Sequence, residues 1–429
     1  MKVLVVGSGG REHAICTCFS RSSKVSKIYC ANGNAGIASI AECVPIKPDD
    51  IAGLVEFALN ESIDLTFVGG ETSLALGIVD EFAARGLAII GPSKNASQLE
   101  ASKSFAKDFM FRHGVPTAKY FTAASTSAAI AELESGSFGE TSTPVVVKAD
   151  GLAAGKGVVV AKDRAEAIDA IREMESLVGA VAADKIVLEE CLFGKEVSLL
   201  MFADGENFAL MPATRDHKRI GEGDTGPNTG GMGTITDDAL LASQDLETVV
   251  ETIVRPSLRG CSQEGFRFRG ILFLGLMMTA DGPKLLEYNV RFGDPETQAI
   301  LVRLETDLVD ICEAMLAGGE NASQTFSAIR WREGSSACIV LASQNYPAKP
   351  KTGDPISGIA DAECVPNVNV FHAGTAKADA SQDFVTAGGR VLGVTATGPD
   401  LDSALATAYV AAAKITFEGM QFRRDIGKS

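Results

Sequence analysis

The chain has little of what zinc sites and disulfide frameworks are made from. Its 429 residues include only four histidines and one tryptophan, and its nine cysteines show no paired spacing. Four histidines argue against a His-rich zinc site. An odd number of cysteines without a framework of spacings is typical of reduced thiols in a cytosol. We therefore expect a cytoplasmic protein whose cysteines act as small hydrophobic residues.

Long hydrophobic runs and a basic excess are also lacking. No run approaches the roughly 20 apolar residues of a membrane span, and Met1 leads into a predicted strand with no basic leader. The net charge of −16 repels nucleic acid and acidic membrane surfaces. We therefore expect neither a nucleic-acid partner nor a membrane partner. The 46% of hydrophobic residues is instead typical of a packed globular protein with several domains.

The N-terminal part of the chain alternates apolar strands with helices. This pattern predicts a doubly wound parallel sheet, with polar turns at 8–11, 32–36 and 69–72 on its ligand-binding carboxyl edge. The turn Gly7-Ser8-Gly9-Gly10 lacks the full G-x-G-x-x-G spacing, and no acidic residue clearly ends the second strand. The phosphate of another ligand is therefore favoured over a dinucleotide. A tight turn without a ligand fits these residues about as well.

A glycine-rich loop with a lysine follows the strand that carries Lys148. The loop, 151–157, contains Lys156 and leads into a second strand, which is typical of a flexible flap over phosphates. It is not a Walker A loop, because Gly157 and a strand follow the lysine. The plainer alternative is a mobile hairpin with a solvated lysine.

The segment 214–233 is rich in glycine and charge. It holds six glycines between Gly221 and Gly233 and a basic cluster at 215–219, and we expect an irregular, functional loop. The basic cluster could meet phosphates or form a solvated rim. His217 could shuttle a proton, although a simple hydrogen-bonding role is the plainer interpretation.

Candidate metal ligands occur in the stretch 284–298. Asp281-Gly282 predicts a hairpin turn into this stretch. Glu287 and Asn289 then lie on one face of a strand, where their oxygens suit Mg²⁺ bound beside nucleotide phosphates. Arg291 follows as a fixed cation for a carboxylate or phosphate. The chain then bends at 293–297, and we expect polar side chains to line this bend.

Several motifs together resemble the glycinamide ribonucleotide synthetase family of ATP-grasp ligases. They follow one order across nearly the whole chain and are specific as a set, whereas each alone would be weak. The motifs are VVGSGGREHA at the start, GNAG at 33–36, KADGLAAGKGV at 148–158, EExL at 189–192, DHKR and GDTGPNTGGMG within 216–233, EYNVRFGDPETQ at 287–298, FHAGT at 371–375 and GGRVL at 388–392.

This resemblance implies a fold and a reaction. The expected domains are an N-terminal phosphoribosylamine-binding domain at 1–105, an ATP-grasp domain at 106–328 and a C-terminal α+β domain at 329–429. The ATP-grasp domain would have a central antiparallel sheet and a flap subdomain at about 123–192. The implied reaction joins glycine to 5-phosphoribosylamine through glycyl phosphate, giving glycinamide ribonucleotide, ADP and phosphate in de novo purine biosynthesis. ATP is the implied co-substrate and Mg²⁺ or Mn²⁺ the implied metal, and we expect a monomer.

The resemblance also implies residue roles. Glu287 and Asn289 would bind the metal, Arg291 would hold the transferred phosphoryl group or acyl phosphate, and Asp216 would face glycine. Arg291, Asp216 and Lys148 are thus the implied catalytic residues. The residues implied for ATP are Lys107, Lys148, Gly151, Gly155, Lys156, Gly157, Glu189, Glu190, Leu192 and Glu196. Those implied for phosphoribosylamine are Gly9, Gly10, Asn34, Glu71, Asp294, Pro295 and Thr297, with Glu296 in the same bend.

One departure from the wider superfamily concerns the metal. Many ATP-grasp enzymes place a further acidic ligand on the strand before the ligand pair, but here that strand, 270–278, is wholly apolar. No residue stands out as a general base. The alternatives are another carboxylate–amine ATP-grasp ligase, a nicotinamide dehydrogenase and a non-catalytic nucleotide-binding protein.

Overall fold

The computed structural model describes residues 1–152, 157–179, 183–378 and 383–428. The N-terminal strands are β1 Lys2–Gly7, β2 Lys27–Asn32, β3 Glu42–Val44, β4 Leu65–Val68 and β5 Ile89–Ile90. The helices of this part are α1 Gly10–Ser20, α2 Ile51–Asn60, α3 Glu71–Leu76, α4 Ile78–Ala83, α5 Gln98–Ala101 and α6 Lys103–Arg112. The strands form one parallel sheet in the order β3-β2-β1-β4-β5. This confirms the predicted doubly wound sheet.

The flap region is a separate small sheet. Its elements are β6 Tyr120–Ala123, α7 Thr126–Glu134, β7 Val145–Ala149, β8 Val158–Ala161, α8 Arg164–Val178 and β9 Ile186–Glu190. The strands pair antiparallel in the order β6-β9-β7-β8. Apolar side chains of α8, such as Ile171 and Met174, pack in one buried cluster with Val147 and Leu188. Helix α8 therefore packs against β7 and β9.

A long antiparallel sheet forms the centre of the molecule. The remaining strands are β10 Lys195–Ala203, β11 Phe208–Leu210, β12 Thr214–Asp216, β13 Arg219–Gly221, β14 Thr225–Asn228, β15 Gly233–Thr236, β16 Gly270–Thr279, β17 Gly282–Asn289, β18 Ser335–Ala342, β19 Val368–His372, β20 Thr375–Lys377, β21 Phe384–Thr386 and β22 Arg390–Gly398. The strands of the central sheet lie in the order β17-β16-β10-β12-β15-β18-β22-β19, with β11 beside β10. The predicted β16–β17 hairpin is present, but its turn residues are Ala280 and Asp281, because Gly282 already pairs with Thr279. β13 pairs with β14, and β20 with β21, outside this sheet.

The other helices pack around this sheet. They are α9 Ser243–Val249, α10 Arg255–Gln263, α11 Glu296–Leu301, α12 Leu308–Ala317, α13 Gly319–Ser327, α14 Ile359–Glu363 and α15 Leu401–Ala412, with a π-helical segment Val250–Val254 between α9 and α10. The sheet continues across residue 329, because β15 pairs with β18. The C-terminal strands therefore extend the central sheet.

Two sequence expectations about local structure were wrong. The segment 214–233 is largely paired backbone: β12 and β15 are inner strands, and β13 and β14 form a hairpin. Buried Thr214, Thr234 and Thr236 fit β-strands, whose β-branched side chains pack well on a pleated surface. The bend at 293–297 continues into helix α11, whose six residues are all buried. Glu296 suits its first turn, where a carboxylate interacts favourably with the helix dipole.

Two buried histidines join the N-terminal sheet to the C-terminal strands. His13 on α1 accepts a hydrogen bond at Nδ1 from the backbone N–H of His372, 2.8 Å away, and His372 Nδ1 lies 3.0 Å from Thr375 Oγ1. Burial, and then the neighbouring His372, lower the pKa of His13 to about 3. Burial, and then Lys377, lower the pKa of His372 to about 4. Both rings are therefore neutral in the native protein at neutral pH.

We expect this histidine pair to make the fold acid-sensitive. Below the ordinary histidine pKa of about 6.5 the unfolded chain binds protons that the native chain does not bind. The free energy of unfolding therefore decreases as the pH is lowered, by up to about 1.4 kcal/mol per pH unit for each ring. In His13→Asn the amide oxygen can replace Nδ1 as acceptor. The pH dependence of the unfolding free energy between pH 6.5 and 4.5 should then correspond to about one fewer proton taken up on unfolding. Urea unfolding followed by circular dichroism measures it. Equal slopes in the two proteins would refute this assignment.

Candidate active site

Two lysines share one buried carboxylate beneath the flap sheet. Val146 pairs with Glu189 across β7 and β9, so Lys148, two residues along, shares the face of Glu189. Lys148 Nζ lies 2.7 Å from Glu189 Oε1, and Lys107 Nζ, from α6, lies 2.8 Å from Glu189 Oε2. All three side chains are at least nine-tenths buried. Burial would raise the pKa of Glu189, but the two lysines hold it below its usual value.

This lysine–carboxylate triad is tied to strand β17. Lys107 donates to Thr117 Oγ1 at 2.8 Å, and Thr117 in turn donates to the carbonyl of Leu285 at 2.6 Å. Lys148 Nζ lies 3.5 Å from the carbonyl of Leu286. Burial lowers the pKa of Lys107 to about 8 despite Glu189. Both cations are thus fixed beside the strand that carries Glu287.

Glu287 and Asn289 lie side by side on β17, both half-buried, while Tyr288 between them points into the core. No hydrogen bond or ion pair from the described residues reaches the Glu287 carboxylate. Burial would raise its pKa, but nearby cations, led by Lys218 and Lys103, hold it below its usual value. Asn289 Oδ1 accepts from Arg291 Nη2 at 3.1 Å. An ionised, unpartnered carboxylate beside an amide oxygen is a donor set that fits a divalent cation.

Within the described ranges, no cluster of three or more histidine, cysteine, aspartate or glutamate side chains could hold a metal. The strand facing Glu287 offers no acidic group: Gly275 pairs with Glu287, and Phe273 with Asn289. A metal here would therefore take its remaining ligands from substrate phosphates and water.

Arg291 sits between two carboxylates. Its Nη2 lies 2.8 Å from Glu100 Oε1 and its Nε 3.2 Å from Glu71 Oε2. Glu100 also accepts from the backbone N–H of Val290 at 2.7 Å. Burial would raise the pKa of Glu71, but Arg291 and Arg11 hold it at about 2. The side chain of Glu71, expected at the sugar phosphate, thus holds Arg291 in this structure.

The first turn, 8–11, packs against the bend before α11. A side chain at Gly9 would lie 3.0 Å from Asp294 Oδ2, and one at Gly10 would lie 2.5 Å from Gln298 Nε2. The structure thus brings Gly9, Gly10 and Asp294 together. Thr297 is fully buried and donates to the carbonyl of Gly293 at 2.5 Å.

The side chain of Asn34 is hydrogen-bonded to other groups of the protein. Its Oδ1 accepts from the N–H groups of Gly36 and Ile37, and its Nδ2 donates to the carbonyls of Ser8 and His372. These four contacts use the full hydrogen-bonding capacity of an amide. Asn34 therefore shapes the turn, and its backbone carbonyl also accepts from the Ala38 N–H.

Asp216 lies near the start of α11. It accepts from Thr234 Oγ1 at 3.1 Å. A Cβ on Gly231 would come within 2.8 Å of its carboxylate and 2.5 Å of Pro295 Cδ, so only glycine fits between them. Burial and then Glu296 raise the pKa of Asp216 well above its usual value, although Lys218 and Arg390 oppose this. Asp216, Pro295 and Glu296 thus form one acidic corner, in which Glu296 is buried and Asp216 is half-buried.

The segment that follows β9, here called the hinge, is fully described, whereas the flap loop 151–157 is described only in part. The Glu190 N–H donates to the carbonyl of Lys119, and Leu192 is half-buried just after β9. Exposed Glu196 lies 3.1 Å from Lys218 Nζ. The flap glycines Gly151 and Gly157 lie on either side of residues 153–156, which are outside the described ranges. Gly155 and Lys156 lie outside the described residues.

Several residues around the site were missed from the sequence. Arg390 lies in the GGRVL motif and contacts the carbonyls of Gly230 and Asp294, so that motif offered a signal. Glu100 gave none, because 190 residues separate it from its partner Val290. Gln298 donates to Asp294 Oδ1 at 2.8 Å, one helical turn away.

Comparison with known families decides the lineage. The phosphoribosylglycinamide synthetase N domain matches residues 1–100, the ATP-grasp (A) domain 101–297 and the C domain 336–429. The chain belongs to the phosphoribosylglycinamide synthetase family. The resemblance seen in the motifs is thereby confirmed.

Relatives in this family match along their whole length. The chain is 46% identical to a phosphoribosylamine–glycine ligase of Xanthomonas axonopodis pv. citri, over 100% of this chain and 97% of that one. It is 45% identical to one of Caldanaerobacter subterraneus subsp. tengcongensis, over 99% of both chains. The crystal structure of the Thermotoga maritima phosphoribosylamine–glycine ligase aligns with a TM-score of 0.80 at 32% identity, covering 99% of this chain and 100% of that one.

The fold extends beyond the synthetase family. A biotin carboxylase domain from Hydrogenobacter thermophilus, solved with MgADP, ADP and bicarbonate, aligns with a TM-score of 0.70 at 16% identity, covering 98% of this chain and 91% of that one. That likeness shows a shared architecture. None of the helices in the described ranges combines the length and hydropathy of a membrane span.

Proposed function

We propose that this site joins glycine to 5-phosphoribosylamine with residues in the roles set out below. The chain is an ATP-dependent ligase of purine biosynthesis, as its family and full-length relatives indicate. Its products are glycinamide ribonucleotide, ADP and phosphate. The observation that carries the role assignment is the placement of two buried lysines beside the strand that bears Glu287 and Asn289.

The ATP end of the site lies between the flap sheet and β17. Lys107 and Lys148 bind phosphate oxygens, and Glu189 holds both lysines in place. The hinge after β9 takes adenine through backbone groups of Glu190 and Leu192. Glu196 takes the ribose hydroxyls, and the loop 151–157 closes over the phosphates.

A divalent cation, Mg²⁺ or Mn²⁺, fits Glu287 and Asn289 as its protein ligands. When bound, it neutralises charge on the transferring phosphoryl group. The cations around Glu287 keep its carboxylate ionised and ready for the metal. With only two protein ligands, the site depends on nucleotide to complete it.

The acceptor substrates lie toward the N-terminal sheet. The glycine carboxylate attacks the γ-phosphate, forming glycyl phosphate and ADP. The amine of phosphoribosylamine then attacks the acyl carbon and phosphate leaves. Asp216 faces glycine, and Arg291 holds the acyl phosphate while Glu71 and Glu100 orient the guanidinium. Gly9, Gly10, the backbone at Asn34, and the bend at Asp294, Pro295 and Thr297 border the sugar phosphate.

The domain division and the setting are part of this proposal. We place the sugar-phosphate domain at 1–105, the ATP-grasp domain at 106–328 with its flap at about 123–192, and the C-terminal domain at 329–429. The protein acts as a cytoplasmic monomer with neither a nucleic-acid partner nor a membrane partner. A molar mass of one chain measured by light scattering supports the monomer, and the mass of a stable dimer contradicts it.

A specificity assay tests the proposed function. ADP release should require glycine and phosphoribosylamine together. If another acid or amine supports release while this pair does not, the chain is a different carboxylate–amine ligase. An NADH fluorescence titration with no binding removes the dehydrogenase alternative.

A further inference from the structure

The last residues of the chain are folded against the segment that carries Asp216. Arg423 is completely buried, which is rare for a side chain that is always charged. Its guanidinium is surrounded by acceptors: Nη1 lies 2.7 Å from Asp224 Oδ1 and 3.1 Å from the carbonyl of Arg219, while Nε and Nη2 bond to Asp425 at 2.8 and 2.7 Å. Arg423 thus links the C-terminal segment to the β13–β14 hairpin.

Neighbouring backbone groups repeat this link. The Gly223 N–H donates to Asp425 Oδ2 at 2.7 Å, and the Arg424 N–H donates to Glu222 Oε1 at 3.2 Å. At the base of the segment, the Gly427 N–H donates to His217 Nε2 at 3.1 Å. The hairpin is therefore held at its tip and at its base by residues 423–427.

His217 transmits this hold to Asp216. Its Nδ1 lies 3.0 Å from the carbonyl of Gly233, and its Nε2 accepts from Gly427, so it is a neutral Nδ1–H tautomer. Burial lowers its pKa in agreement with that state. It is therefore a structural link and not a proton shuttle. Asp216 precedes it directly in the chain.

The C-terminal segment is itself anchored. Tyr409 on α15 donates to the carbonyl of Arg423 at 3.0 Å and accepts from the Ile426 N–H at 3.1 Å. Ile426 is fully buried, and its Cδ1 lies 2.8 Å from the place where a Cβ of Gly233 would be. Residues 423–427 therefore form an anchored support for the segment 216–233.

We propose that Arg423 is a positioning residue for the ligation, which holds the segment 216–233 so that Asp216 meets glycine. The inference rests on the proposed function, because it takes Asp216 to face glycine. The lysines placed at the ATP phosphates lie on α6 and the flap sheet, neither of which Arg423 contacts, whereas Lys218 in the segment 216–233 reaches Glu196 at 3.1 Å. Loss of Arg423 should therefore raise KM for glycine more than KM for ATP.

Steady-state kinetics of Arg423→Ala test this. We expect KM for glycine to rise by about tenfold or more, since small misplacements of a binding group cost up to about a hundredfold, while KM for ATP stays within about twofold. The matched control is Arg424→Ala, which removes the same charge from an exposed neighbour and should behave as wild type. Hydrogen exchange should speed up selectively at 219–228.

A second variant covers the case in which Arg423→Ala does not fold. Asp224→Asn weakens only the hairpin side of the link, and Asn tolerates the φ of 52° at that position. It should raise KM for glycine by about threefold with little change in stability, because Asn keeps an acceptor oxygen and Asp425 still pairs with Arg423. Unchanged KM for glycine in both folded variants, or an equal rise in KM for ATP, overturns the proposal. Wild-type protein that is active only with another acid would instead refute the proposed function.

Discussion

Glu287→Ala should lower kcat for glycine-dependent ADP release by about a thousandfold or more, because a metal at a phosphoryl-transfer site contributes several kcal/mol. The carboxylate lies half-buried among cations and takes no hydrogen bond from the described residues. Its loss should therefore leave the fold intact. Circular dichroism and urea unfolding check the fold, and coupled ADP detection measures kcat.

Metal affinity separates this role from a general electrostatic one. Mn²⁺ binding to the enzyme with ATP, followed by water-proton relaxation, should weaken strongly in Glu287→Ala. Glu247→Ala on α9 is the control, because that side chain is exposed to solvent. Undiminished turnover, or lost turnover with unchanged Mn²⁺ affinity, would contradict the assignment of Glu287 as a ligand.

Glu189→Ala should destabilise the protein by about 3–5 kcal/mol, since removing one partner of a buried ion pair leaves the other charges uncompensated. Here two lysines lose the same carboxylate. KM for ATP should also rise, because Lys107 and Lys148 no longer hold fixed positions. Urea unfolding measures the first effect and ATP-dependent kinetics the second. Glu173→Ala, exposed on α8 in the same subdomain, should change neither.

The stability deficit of Glu189→Ala should depend on pH with a defined sign. In the wild type Lys107 gives up its proton near pH 8, and without Glu189 it should do so at lower pH. Between these two values the variant's unfolded state binds a proton that its native state lacks, so the variant gains stability as pH rises. The deficit should shrink toward pH 8. A constant deficit would argue that Lys107 is not charged in the wild-type triad.

The sequence predicted those parts of the fold that produce a local pattern. Buried parallel strands such as β1 and β4 are nearly continuous apolar runs, and Asp281 lies in the β16–β17 turn. Helix α11 gave no such signal, because all six of its residues are buried and no polar face alternates with an apolar one. The segment 214–233 resembled a loop because glycines obscure its strand pattern.

Long-range partners could not be predicted from local pattern. The family resemblance implied a ligand role for Glu71, but the structure places its side chain on Arg291, 220 residues away. The same resemblance implied a ligand role for Asn34, yet its side-chain amide is saturated by protein groups. Such pairings depend on which strands become neighbours.

The pairing of β15 with β18 has a consequence for folding during synthesis. The parallel N-terminal sheet is complete once its first five strands have left the ribosome. The central sheet, by contrast, keeps β15 as an open edge until Ser335–Ala342 appears, about 100 residues later. An open edge is a template for pairing with other chains. The nascent protein is therefore most exposed to aggregation after β15 has been synthesised and before β18 is available to pair with it.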